Sequence, residues 1–96
     1  MVFDWDDANR DHIAEHDVTT DEAEYVLLND PLDMDMQVRN GEERLVQAGA
    51  TPRGRILVVV TVSRGLLIRV VTAYDGTRRD RLAYEAWRRE IYGTEA

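Results

Sequence analysis

Arginine occupies all twelve of the strongly basic positions in this chain, and these arginines are unevenly distributed. Three of them stand among fourteen acidic residues between positions 1 and 52, which gives a local charge of −11. From position 53 onward nine arginines face five acidic residues, a local charge of +4. Guanidinium groups pair with phosphate through parallel hydrogen bonds. A GC-rich genome would explain arginine in place of lysine but not its segregation, so the second half is the candidate anion-binding region.

Arg69 is a charged residue on a predicted strand whose neighbours are mostly apolar. Regular alternation puts it on the same face as Val71 and Ala73. A charge in such a row needs either an anion or a carboxylate partner. The sequence leaves both alternatives open.

A second set of polar residues follows this strand and continues into the last predicted helix. Several of its guanidinium groups recur at roughly helical spacing beside tyrosines, so they could hold an RNA backbone and stack a base. In the alternative interpretation they form a solvated helix face on which Arg81 pairs with Glu85. The members of the group are Tyr74, Arg78, Arg79, Asp80, Arg81 and Tyr84, with Arg88 or Arg89 further along.

Other kinds of site find little support in the sequence. His12 and His16 could share a helix face and hold a metal with a nearby carboxylate, but Ile13 stands where the HExxH motif has glutamate. Asp33 and Asp35 belong to an acidic segment without the central glycine of a calcium-binding loop. The chain has no cysteine, no recognisable nucleophile pattern and no glycine-rich phosphate loop. We therefore predict no metal and no cofactor.

Three helices are predicted to position these residues. Each has a start signal, a side-chain oxygen that can accept a hydrogen bond from the first turn, and the second ends where a proline cannot continue it. The signals are Asp6, Asp7 or Asn9 for the first helix, Thr19 or Thr20 for the second, which ends at Asn29 Asp30 Pro31, and Thr77 for the third.

Three strands are predicted between the second and third helices: Glu42 to Gly49, Arg55 to Ser63 and Leu66 to Ala73. Their connections have hairpin lengths, which favours an antiparallel meander. Val2 to Trp5 alternates and predicts either a short edge strand or an extended arm, whereas Leu32 to Asn40 is polar and predicted to be irregular. The predicted fold class is α+β, with two short N-terminal helices, a three-stranded antiparallel meander and a C-terminal helix.

Length and composition predict one domain that spans residues 1–96. The acidic start lacks the pattern of a signal peptide, and no run approaches the roughly 18 apolar residues of a membrane span. We expect a cytoplasmic protein without a membrane partner. A net charge of −7 argues against whole-surface binding to nucleic acid, so any RNA site must be local.

The order of these motifs resembles the BrnT family, toxins of type II toxin–antitoxin pairs with a RelE-like fold and ribonuclease activity. The resemblance runs roughly from Phe3 to Tyr84. No single motif is specific, but their order and spacing are. They are Phe3 Asp4 Trp5 Asp6; His16 Asp17 Val18, where the family has His-Gly-Val; Thr20 Asp21 Glu22 Ala23; Asp30 Pro31; Gly41 Glu42 Glu43 Arg44; the apolar strand after Arg55; Ile68 to Ala73; and Asp80 Arg81 with Tyr84.

The resemblance implies RNA cleavage without a metal, in which basic side chains hold the scissile phosphate and stabilise the charge that develops on it. The family has an arginine where this chain has Tyr74 and a glutamate where it has Asp80, while Arg81 is retained. We predict that Arg69 and Arg81 grip the phosphate and that Tyr74 or Asp80 assists proton transfer. The predicted RNA contacts are Arg55, Arg78, Arg79 and Tyr84.

Two functions follow as hypotheses. In the first, the chain is a metal-independent endoribonuclease that a cognate antitoxin, of the ribbon-helix-helix type, neutralises. In the second, the same fold is a non-catalytic protein-binding module, because Tyr74 replaces the catalytic arginine. The acidic first half motivates the second hypothesis, since it would attract a basic polypeptide.

Overall fold

A five-stranded mixed sheet and three helices make up the structure, a computed structural model that describes residues 2–93. Met1 and residues 94–96, the two ends of the predicted domain, lie outside the described residues. The strands lie side by side in the order β1-β5-β4-β3-β2. Along the chain the elements are β1 (Val2–Phe3), α1 (Asp7–Ala14), α2 (Thr20–Leu28), β2 (Leu32–Arg39), β3 (Glu42–Ala50), β4 (Ile56–Arg64), β5 (Leu67–Asp75) and α3 (Arg78–Tyr92).

The α+β class is confirmed, but the predicted RelE-like meander of three strands is wrong in detail. The segment predicted to be irregular forms β2, which pairs antiparallel with β3 and extends the meander to four strands. β1 pairs with β5 in parallel, so the N-terminal segment is an edge strand and the sheet is mixed. β2 escaped prediction because six of its eight side chains are exposed and a bulge at Met34 interrupts its alternation. β2 is a strand because its backbone pairs with β3, and no side-chain pattern predicts that pairing.

The helix starts follow the predicted caps. The Asp6 carboxylate accepts a hydrogen bond from the Asn9 N–H at 2.8 Å at the start of α1. Thr19 and Thr77 each form a reciprocal capping box at the starts of α2 and α3. None of the helices in residues 2–93 has the length and apolar composition of a membrane-spanning helix.

Apolar side chains pack on both faces of the sheet. On one face, here called the helix face, Ile13 of α1 and Val26 of α2 are fully buried against Val59 and Val70. The opposite face carries a smaller cluster around Val58. Burial on two faces explains why β4 is an almost continuous apolar run.

A bulge in β5 changes which of its residues share a face. Thr61 of β4 pairs with Val70 and Val60 pairs with Thr72, so Val71 is the extra residue. The prediction that Val71 and Ala73 lie on one face is therefore wrong. Ala73 belongs to the cluster on the helix face, whereas Val71 packs in the cluster on the other face.

Gly49 allows α2 to approach the sheet. A Cβ atom at this position would lie 2.8 Å from Val26 Cγ1, inside the van der Waals distance of a fully buried side chain. We predict that Gly49→Ala lowers the free energy of unfolding by about 1–3 kcal/mol, as overpacking does elsewhere. Urea denaturation followed by circular dichroism measures this change.

The double variant Gly49→Ala with Val26→Ala is the matched control. If the clash causes the loss, the two changes together cost less than the sum of the single changes. Strict additivity would contradict the proposed contact.

Candidate functional site

The end of β5 and the start of α3 form a tight corner. Only Gly76 and Thr77 separate Asp75, the last residue of β5, from Arg78, the first of α3. The Gly76 N–H donates to the Ile56 carbonyl at 3.0 Å, and a Cβ at Gly76 would lie 3.2 Å from Cβ of Asp80. The corner is therefore pressed against the start of β4.

Arg55 ties this corner to the helices. Its guanidinium donates to both carboxylate oxygens of Asp75, at 2.7 and 3.2 Å. It also donates to the backbone carbonyls of Asp17 at 2.6 Å and His16 at 3.0 Å, and it lies 3.5 Å from Glu22 of α2. Because these groups engage its donors, the contacts favour a positioning role for Arg55. Its predicted contact with RNA stays a prediction.

The contacts between Arg55 and Asp75 shift the pKa values of both groups. The hydrogen bonds from Arg55, with its charge, lower the pKa of Asp75, and the charge of His16 adds to the effect. Burial opposes the lowering to a lesser extent. The hydrogen bond with Asp75 likewise raises the pKa of Arg55, so both partners stay charged near neutral pH.

His16 stands beside Tyr74 at the same corner. Their ring centroids are 6.1 Å apart, and the ring of His12 lies 5.7 Å from that of His16. Tyr74 is half-buried and His16 is exposed, so both can meet a ligand at the surface. The sequence indicated Tyr74 as a site residue, but it raised His16 only as a metal ligand beside His12 and did not indicate a role for it at this corner. Only the resemblance at His16 Asp17 Val18 gave a signal for it.

One side of α3 carries arginines next to an open cleft. The cleft has a volume of about 590 Å³ between α2, the β3–β4 loop and α3, and Arg88 contributes to its wall. Residues seven apart lie on the same side of a helix, which aligns Arg81 with Arg88, and Arg78 precedes Arg81 by about one turn. Among residues 2–93 none of these three arginines forms an ion pair, not even with Glu85 on the same side.

Three of the predicted residues have other surroundings. Asp80 accepts a hydrogen bond from the Thr77 N–H at 2.9 Å and so completes the cap of α3. Arg79 is exposed, but two residues along a helix turn it about 160° away from Arg81. Tyr84 is only 6% exposed, packs against Trp87 and lines the cleft, and its predicted contact with RNA stays a prediction.

Arg69 lies at the other end of β5. It is five residues from Tyr74, roughly 16 Å along a strand. Its guanidinium pairs with Asp4 at 3.1 Å and with Asp6, which holds the N-terminal segment against the sheet. The Asn9 N–H and Arg69 both lower the pKa of Asp6. Of the two alternatives for Arg69, the carboxylate partner is the one observed.

Comparison with known proteins adds an independent finding. A family model described as "Ribonuclease toxin, BrnT, of type II toxin-antitoxin system" matches residues 5–80, well over half of the chain. The match covers Arg55 and the residues that it contacts, here called the Arg55 network, and it ends at Asp80 in the first turn of α3. No curated protein matches the chain in a sequence comparison.

The Arg55 network generates a stability prediction. Arg55→Ala removes hydrogen bonds to a carboxylate and two carbonyls, and we expect the free energy of unfolding to fall by about 2 kcal/mol. Arg53→Ala is the matched control, because Arg53 is exposed in the same loop and has no ion pair in the described part. It should change stability by less than about 0.5 kcal/mol. If Arg55→Ala and Arg53→Ala had equal effects in chemical denaturation, the stabilising role of the Arg55 contacts would be contradicted.

The Asp75 carboxylate generates a pH prediction. Its folded-state pKa is lowered, so its contribution is present above the unfolded value of about 3.9 and is lost as pH falls through the folded value. Asp75→Asn should therefore destabilise the protein near neutral pH, and the difference from wild type should shrink below about pH 4. Asp11→Asn, an exposed carboxylate without an ion pair in the described residues, is the control. If the difference in stability between Asp75→Asn and wild type did not depend on pH, a stabilising ion pair between Asp75 and Arg55 would be excluded.

Proposed function

This chain belongs to BrnT, a family of ribonuclease toxins of type II toxin–antitoxin systems, and we propose that it cleaves RNA without a metal at the corner between β5 and α3. One observation carries the placement. Arg78, Arg81 and Arg88 line one side of a helix without an ion pair among residues 2–93. For Arg78 and Arg81 this arrangement is unfavourable in the protein alone, because like charges three residues apart repel and cations oppose the dipole at a helix start. Arg88 lies in the second half of α3 and stacks on the ring of Tyr92 at 4.3 Å. An RNA phosphate would relieve both effects.

In the proposed reaction Arg81 holds the scissile phosphate, with Arg78 beside it. Attack by the ribose 2′-oxygen places additional negative charge on the phosphate oxygens, and a guanidinium held there stabilises that charge more than the starting diester. Arg88 lies on the same side of α3, seven residues further on, and guides the strand along the cleft.

Proton transfer falls to the groups at the end of β5. One group must take the 2′-OH proton and another must supply a proton to the departing 5′-oxygen. Tyr74 and His16 are adjacent and at the surface, and a phenol and an imidazole are groups that enzymes use for proton transfer, which supports them in these roles. Asp80 was the other candidate, but its carboxylate already accepts the Thr77 N–H. Arg55 and Arg69 then act through structure, by holding the corner and the N-terminal segment.

A toxin of this type has an antitoxin partner. We propose one of the ribbon-helix-helix type, and action on cellular RNA would place the pair in the cytoplasm. The acidic first half of the chain favours a basic contact region on that partner. The same charge supports the second candidate function, a module that only binds protein, since Tyr74 stands where the family has an arginine.

Cleavage of total RNA in EDTA tests the proposal. Wild type should cleave, and Arg81→Ala should lose about 10²- to 10³-fold in rate, the usual cost of removing one group that stabilises developing charge. Arg89→Ala is the matched control, because it removes the same charge from the same helix about 80° around the axis and two turns away. It should retain most of the activity.

The outcomes separate the two candidates. Undiminished cleavage by folded Arg81→Ala would refute the proposed site. Absence of cleavage by folded wild type would favour the binding module. Tyr74→Phe, which keeps the ring and removes the hydroxyl, should lower the rate if the phenol transfers a proton.

A further inference from the structure

β2 presents an open edge at one end of the sheet. It is the last strand in the order and pairs only with β3 among the described residues. Residues 35–39, the part beyond the bulge at Met34, have exposed side chains, with Met36 at 53% and Val38 at 67%. An exposed edge strand with unpaired backbone groups is a template for another strand.

Backbone orientation identifies which residues face outward. Every second residue of an antiparallel strand turns its N–H and C=O to the same side. The Met36 N–H donates to the Asp35 carboxylate at 2.8 Å, which marks Met36, and by alternation Val38, as the outward pair. In the single chain the Asp35 carboxylate thus accepts the hydrogen bond of the Met36 N–H. A neighbouring strand would accept this hydrogen bond instead.

The sequence of this edge is complementary to itself. In an antiparallel pair of β2 strands centred on Gln37, residue 35 meets residue 39 and residue 36 meets residue 38. Asp35 then opposes Arg39 twice, and Met36 opposes Val38 twice. The two outward residues exchange backbone hydrogen bonds in this register, so main-chain and side-chain pairing agree. If the charges on this edge served only to repel a neighbouring strand, they would all have the same sign.

We propose that two copies of this chain associate through β2 and form one continuous ten-stranded sheet. Arg39 has no ion pair among residues 2–93, so it is available to the second copy. On the helix face, Met36 borders a groove of about 430 Å³ that Leu27, Leu45 and Ile68 also line. Val38 of the second copy covers Met36 at the mouth of this groove. Five residues from each copy make a small interface, so the dimer forms in a concentration-dependent manner.

Sedimentation equilibrium of the full chain tests this proposal. The mass of wild type should rise with concentration from 11.0 kDa toward twice that value. Asp35→Arg and Arg39→Glu each place like charges opposite one another and should stay monomeric. An equimolar mixture of these two variants restores both ion pairs and should dimerise, as should the double variant Asp35→Arg with Arg39→Glu. Arg53→Glu makes the same change in net charge as Arg39→Glu at a distance from β2 and should behave as wild type.

Amide hydrogen exchange gives a second measurement. Protection of the Met36 and Val38 amides should increase with protein concentration, while that of the Gln37 amide, which faces β3, should not. Wild type that stays monomeric at every concentration would overturn the proposal. Dimers that survive the single charge reversals, or folded single variants that fail to associate when mixed, would exclude this edge and register.

Discussion

The guanidinium group of Arg55 joins segments that lie far apart in the sequence. It holds the end of β5 through Asp75, the turn between α1 and α2 through two backbone carbonyls, and the start of α2 near Glu22. The planar fork of arginine can serve several acceptors at once, which the single ammonium group of lysine does not match. The corner that carries the proposed site therefore depends on one residue, and the helices and the sheet meet there in a fixed arrangement.

The segregated charge of the sequence has a structural explanation in these contacts. Acidic residues of the first half pair with arginines of the second half across the fold: Asp4 and Asp6 with Arg69, Glu22 with Arg55, and Glu42 with Arg64. Much of the bipolar pattern is thus complementarity between the two halves. The arginines along one side of α3 are left without such partners among residues 2–93, which supports a role toward an anion outside the chain.

The proposed RNA site and the proposed dimer edge occupy different parts of the molecule. The first lies where β5 turns into α3, and the second lies on β2, three strands away in the sheet order. An extended sheet would leave both corners accessible, so association and RNA cleavage need not compete. The exposed polar side chains that hid β2 from sequence analysis are the same ones that make its edge self-complementary.

Sequence patterns alone predicted the α+β class, the starts of all three helices and three of the five strands. Those features rest on local physics: caps that satisfy the first turn, and side-chain periods that match buried faces. The remaining features depend on contacts between distant segments. β2 depends on backbone pairing with β3, and the bulge at Val71 changes the alternation of β5. The use of Arg55 and Arg69 within the fold depends on carboxylates and carbonyls that are distant in sequence, and no local pattern reveals such partners.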